Sequence, residues 1–155
     1  MSGLVERMAQ LQLKLAMLAL GVMGAVTCAD VALKYIAHRP IRGAYDLVES
    51  LLPVVVFHGL PATLLRRQNI AIDLIDHVAG KRGTRALIGV GDVVMLVILG
   101  LILWAMVSPA MQALDYGDRK IELGVPLIVI WVAAMLGVAG SLIVVASLLL
   151  KRRGA

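Results

Sequence analysis

The sequence is poor in charge. Only 16% of its 155 residues are Asp, Glu, Lys or Arg, against 61% hydrophobic residues and a mean hydropathy of +0.93. An ordinary soluble domain carries about 25% charged and 45–50% apolar residues, so a soluble fold could not hide this much apolar surface. Cysteine occurs once, as Cys28, which excludes an internal disulfide and a cysteine cluster for zinc or iron–sulfur chemistry. Aromatic residues make up 4%, and the bases lie at the ends of apolar runs. The net charge of +5 is therefore read as membrane orientation, and no nucleic-acid partner is expected. Of the histidines His38, His58 and His77, only His58 lies inside an apolar run. A haem held by axial ligands from facing helices would lack its second ligand, and a neutral His58 bonded to a neighbouring helix is expected instead. No glycine-rich phosphate loop, nucleophile elbow or histidine–carboxylate metal cluster is present. These absences argue against an enzyme and against a cofactor.

What is there is four apolar blocks, at about 15–36, 45–65, 86–111 and 123–150. Each approaches or exceeds the roughly 20 residues that a helix needs to cross a hydrocarbon core of about 30 Å. None alternates apolar and polar residues as a β-barrel strand would. The expected fold is an all-α integral membrane protein, one membrane domain over 1–155 with four transmembrane helices. Ala16 to Val26, with Thr27, Cys28 and Ala29 after it, imitates a secretory signal. The apolar run continues through Val31, Ala32 and Leu33, so a retained span is expected. Pro53, Pro61 and Pro109 fall inside or near the ends of spans, where kinks are expected.

The stretch 66–74, Arg-Arg-Gln-Asn-Ile-Ala-Ile-Asp-Leu, breaks the apolar sequence between the second and third spans. From Asn69, Ile70, Leu74, Ile75 and Val78 share one helical face while Asp73, Asp76, His77 and Lys81 fall mostly elsewhere. A short amphipathic helix lying at the interface is expected there, with Asn69 as its cap. With the N-terminus inside, the inner segments hold ten bases (Arg7, Lys14, Arg66, Arg67, Lys81, Arg82, Arg85, Lys151, Arg152, Arg153) and the outer ones five (Lys34, Arg39, Arg42, Arg119, Lys120). Both termini are expected to be cytoplasmic.

Few polar residues fall inside spans. Asp30 and Lys34 stand four apart near the end of the first, where an acid and a base can pair. Asp46 and Glu49 open the second, where carboxylates suit the positive end of the helix dipole and could also meet a partner. Asp92 lies about two turns into the third and is expected to face protein or water, paired with Arg85 or touching another subunit. In the fourth, Ala133, Gly137 and Ser141 recur every four residues and form a small-residue face for close helix packing. The loop from Asp115 to Glu122 carries three acids and two bases and is expected to be exposed to solvent.

In order and spacing these features resemble the small membrane subunit of tripartite ATP-independent periplasmic (TRAP) transporters, the DctQ-like family. The resemblance runs from Lys34-Tyr35 and Pro40 to Gly43-Ala44-Tyr45-Asp46-Leu47-Val48-Glu49. It continues through Arg66-Arg67 and Asn69-Ile70-Ala71-Ile72-Asp73, then Leu123-Gly124-Val125-Pro126, Trp131 and Gly137. Lys34 stands where the family commonly has arginine, and Asn69 where it commonly has histidine. The first change keeps the charge but loses a bidentate donor, and the second removes a titratable group.

The resemblance implies a bacterial or archaeal inner-membrane subunit that partners a large permease subunit and a periplasmic substrate-binding protein. In such systems the large subunit carries organic acids, driven by an ion gradient, and the small one is a scaffold that steadies it and helps dock the binding protein. Lys34, Asp46, Glu49, Arg66, Arg67, Asn69, Asp73, Asp92, Ala133, Gly137 and Ser141 are the candidate interface or structural positions. The competing expectation is a self-sufficient four-helix homodimeric exporter. That mechanism wants a carboxylate near the midplane of the first span, where this sequence has only Asp30, close to the span's end.

Overall fold

The computed structural model describes residues 3–66 and 71–153, with the backbone alone for the helical residues 71–86 and 152–153. The chain forms four helices, α1 (Gly3–Ala37), α2 (Ala44–Arg66), α3 (Ala71–Asp115) and α4 (Leu127–Arg153). Each contains a stretch long and apolar enough to cross a membrane. The protein is an all-α membrane protein, as its composition requires.

Two helices are longer than the expected spans. At about 1.5 Å per residue, α1 is about 52 Å long and α3 about 68 Å, both exceeding the hydrocarbon thickness. The mixed N-terminal segment is therefore helical from Gly3. The segment expected to form a separate interfacial helix runs from Ala71 into the third span without a break. No proline interrupts it before Pro109, so the backbone has no steric reason to stop.

The packing is uneven. Helix α4 touches each of the other three, and among the described residues α3 leans on α4 alone. The buried residues of α4, Ala134, Val138, Ser141, Val144, Val145 and Leu148, follow steps of three and four, the spacing of one helix face. Around them gather Ala9 of α1, Leu64 of α2, and Leu99 and Met106 of α3. The most apolar window of α4 has 39% of its residues buried, and that of α3 only 6%.

Small residues bring the helices together. Ala9, Ala16 and Ala19 of α1 are buried with Gln12 half-buried between them, a seam at heptad spacing. On α2, Ala44, His58 and Pro61 continue a matching seam through half-buried Leu47, Leu51 and Val54. Apolar neighbours give no hydrophobic advantage over lipid tails, so such helices associate through close van der Waals contact, and small side chains permit it. The closest approach of a glycine to another helix's backbone is at Gly137, where an added Cβ would lie 2.7 Å from the carbonyl carbon of Phe57.

The Gly137→Ala substitution should therefore force α2 away from α4 and lower stability by about 1–3 kcal/mol, the usual cost of overpacking. Gly100→Ala, whose Cβ would meet nothing within 4 Å, should be neutral or slightly stabilising. Thermal unfolding of the two variants in detergent checks the contrast.

Candidate functional site

A group of polar residues converges at one end of the bundle, where the α1–α2 loop meets the α3–α4 loop. After α1 the backbone turns through His38, with φ of 52°, and Gly43, with φ of 80°. Glycine is needed at the second position for a further reason. A Cβ there would lie 2.9 Å from Cδ2 of Leu123, so the left-handed turn is packed directly under the opposite loop. Asp30 of α1 accepts a hydrogen bond from the Ile41 amide at 2.6 Å, tying the loop back to the helix it has just left.

The α3–α4 loop has its own scaffold. Leu127 N–H donates to the Asp118 carbonyl at 2.9 Å, Lys120 N–H to Val125 at 3.0 Å and Gly124 N–H to Lys120 at 2.8 Å. Arg119 and Pro126 pair as an isolated antiparallel bridge, and Gly124 takes the left-handed conformation, φ 65°. Helix α4 consequently begins at Leu127, directly after Pro126, a residue whose fixed φ suits a helix start.

Carboxylates bolt the two loops together. Asp46 Oδ2 accepts from the amides of Glu122 at 2.9 Å and Leu123 at 3.4 Å. Glu122 Oε2 reciprocates by accepting from the Gly43 amide at 2.5 Å. Lys120 Nζ forms an ion pair with Glu49 Oε2 at 2.6 Å, its side chain 16% exposed and that of Glu49 48%. The half-exposed ion pair contributes at most about 1 kcal/mol. Carboxylate–amide bonds are charge-assisted and stronger, so the reciprocal exchange between Asp46 and Glu122 is the main fastening.

Asp46 and Glu49, expected near the N-terminal end of α2, thus reach across to the loop leading into α4. The expected pairing of Asp30 with Lys34 is not formed, because Asp30 is taken by the Ile41 amide and Lys34 is exposed. Among the described residues the one ion pair is Lys120–Glu49. The loop residues 116–119 and 121–124 are exposed, as expected, with Tyr116 79% and Ile121 97% exposed.

The other candidate positions are dispersed. Gly137 and Ser141 are buried against the chain's own helices, and Ser141 Oγ donates to the Gly137 carbonyl at 3.2 Å. Ala133 and Asp92 are half-buried, and Arg66 is exposed at the end of α2. Arg67 and Asn69 lie outside the described residues, as do the side chains of Asp73 and Arg85. His58 is buried, and the backbone group it meets is that of Val54, one turn earlier on its own helix, so the expected bond to a neighbouring helix is not seen among the described residues. Sequence reasoning missed Glu122 and Gln12. Gln12 Nε2 donates to the Leu136 carbonyl of α4 at 3.1 Å, and its heptad position among Ala9, Ala16 and Ala19 was the available signal.

An apolar cavity of about 310 Å³ opens between α2, α3 and α4. Pro53 and Phe57 form one wall, Ile102 and Met106 the other, with Trp131 and Ala134 as floor. It exists because α2 and α3 both rest on α4 without filling the gap between them.

Residues 23–153 match the family model described as tripartite ATP-independent periplasmic transporters, DctQ component. No curated protein and no solved structure gives a significant match.

Removing the Asp46 carboxylate should unlock the loops while leaving the helices in place. Hydrogen bonds to a charged group contribute about 1.5–3 kcal/mol. In Asp46→Ala the amides of Glu122 and Leu123 should therefore exchange with solvent deuterium about tenfold faster or more. Amides in the middle of α4 should keep their protection.

Proposed function

The chain belongs to the DctQ family of tripartite ATP-independent periplasmic transporter components, and from that premise we propose that it is the small accessory subunit that scaffolds a large permease subunit. It is a multi-pass membrane protein of a transporter family. In this reading the large subunit carries organic acids handed over by a periplasmic binding protein and is driven by an ion gradient. Both termini are placed in the cytoplasm and the bolted loops at the periplasmic face of the inner membrane, following the distribution of bases.

The observation that supports a scaffold is the asymmetry of α3. Its apolar window is 6% buried, and Val93, Val94, Val97, Ile98, Leu101 and Trp104 are all exposed. This apolar helix gains little from its own chain, and a larger membrane partner can cover it. The bolted loops add rigidity, which a static support needs. The small-residue face of α4 is occupied internally, since Gly137 meets Phe57, so the permease is assigned to α3 and the apolar cavity beside it. An exporter mechanism finds no support in α1, whose Asp30 is spent on the loop amide.

Mild-detergent purification of the tagged chain from its native membrane should bring down a large polytopic subunit in equal amount. A photo-crosslinking residue at Val97 or Leu101 should then capture that subunit, while one at Leu18 of α1 should capture it poorly. Recovery of a homodimer that transports cations in liposomes would overturn the reading.

A further inference from the structure

Proline has no N–H, so a proline inside a helix leaves the carbonyl one turn earlier without its usual donor. Helix α2 contains two, Pro53 and Pro61, which open the carbonyls of Glu49 and Phe57 in turn. Glu49 is exposed beside the loops, where solvent can serve its backbone. Phe57 lies in the middle of α2, with buried Pro61 below it and buried Gly137 of α4 against it. A backbone carbonyl left bare at that depth of a membrane is costly.

Neighbouring helices, hydroxyl side chains and local distortion are the usual remedies for a proline in a spanning helix. Helix α2 runs as α-helix from Ala44 to Arg66 without a π turn. The side-chain donors nearby are engaged elsewhere. Thr63 Oγ1 donates to the Leu60 carbonyl at 2.8 Å, Ser141 Oγ to the Gly137 carbonyl at 3.2 Å and Gln12 Nε2 to the Leu136 carbonyl at 3.1 Å. The His58 imidazole is hydrogen-bonded to the backbone of Val54. What faces the Phe57 carbonyl is Gly137, where an added Cβ would lie 2.7 Å from the carbonyl carbon and 2.8 Å from its oxygen. In glycine a hydrogen occupies that direction, so one α-hydrogen of Gly137 is directed at the Phe57 C=O.

We infer that this Cα–H of Gly137 is the donor to the Phe57 carbonyl that Pro61 leaves open, so that Pro61 and Gly137 act as one device, a hinge in α2 and its clamp on α4. Contacts of this kind recur at helix–helix interfaces and are weaker than N–H···O bonds. They require backbones to approach closely, which glycine permits. A helix one hydrogen bond short bends more readily at that turn than elsewhere. On one side of the hinge, Pro53 and Phe57 form a wall of the apolar cavity. On the other, Ala62 and Leu64 are buried in the bundle. The clamp holds the two parts of α2 in one relation, and a side chain at residue 137 would withdraw the donor as well as crowd the crossing.

Phe57 is the only phenylalanine in the chain, so phenylalanine isotope-labelled at its carbonyl carbon marks this one peptide group. In solid-state NMR of the full chain in lipid bilayers, the Phe57 carbonyl carbon should show a through-space contact to one α-hydrogen of Gly137. That hydrogen should resonate downfield of its geminal partner. Pro61→Ala returns an N–H to the turn after Phe57. The infrared band of the labelled carbonyl should then shift to lower frequency, and the two α-hydrogens of Gly137 should draw together in chemical shift. A wild-type band already at the Pro61→Ala frequency overturns the proposal, because another N–H would then serve Phe57. So does a wild-type spectrum without the contact, or with the two α-hydrogens equivalent. Those wild-type spectra decide the matter even if Pro61→Ala fails to insert.

Discussion

Backbone meets backbone where Phe57 of α2 rests on Gly137 of α4, and the level of every other contact follows from that crossing. Helices α2 and α4 run in the same direction, so fixing them at one point fixes them along their length. Counting back from Phe57 and from Gly137 by similar distances reaches Asp46 and the 122–126 stretch, which is where the carboxylate bolts form. Counting forward reaches Leu64 and Val144, both in the buried core. A side chain at residue 137 would therefore disturb an arrangement much larger than its own surroundings.

Helix α3 is held differently. It rests on α4 through Leu99 and Met106 and leaves a cavity between itself and α2. The three-helix group α1, α2 and α4 owes its cohesion to alanine seams and two close glycine contacts, Gly137 with Phe57 and Gly140 with Gln12. The fourth helix contributes area to the membrane-facing surface more than to the core. That division accords with the role proposed above, in which the chain stands beside a larger subunit.

The spans were legible because length and hydropathy alone decide them. The limits of α1 and α3 were not, since polar residues such as Glu6, Arg7 and Lys14 are tolerated on a helix that extends beyond the hydrocarbon, and the sequence has no signal there to stop it. The family was legible from the order of short features around Asp46, Arg66 and Pro126. The bolts were not. Asp46 and Glu122 are separated by 76 residues, and a carboxylate in the first turn of α2 is equally well explained by capping. Only the three-dimensional level of the helices distinguishes the two roles. Gln12 was hidden for a related reason. It stands ahead of the most apolar run, where a polar residue reads as flanking sequence, although its spacing from the seam alanines marks it as internal. Arg67 and Asn69, outside the described residues, add nothing to either account.

The reciprocal bonds between Asp46, Glu122 and Gly43 join the first helical hairpin to the second. During synthesis the α1–α2 hairpin emerges first, and its Gly43 amide and Asp46 carboxylate have to be satisfied by water until α3 and α4 have followed. Closure of these bonds is therefore a late event in biogenesis and reports that all four helices have been inserted in the correct topology. A chain with an inverted second hairpin would carry Glu122 to the opposite side of the bilayer and could not close them.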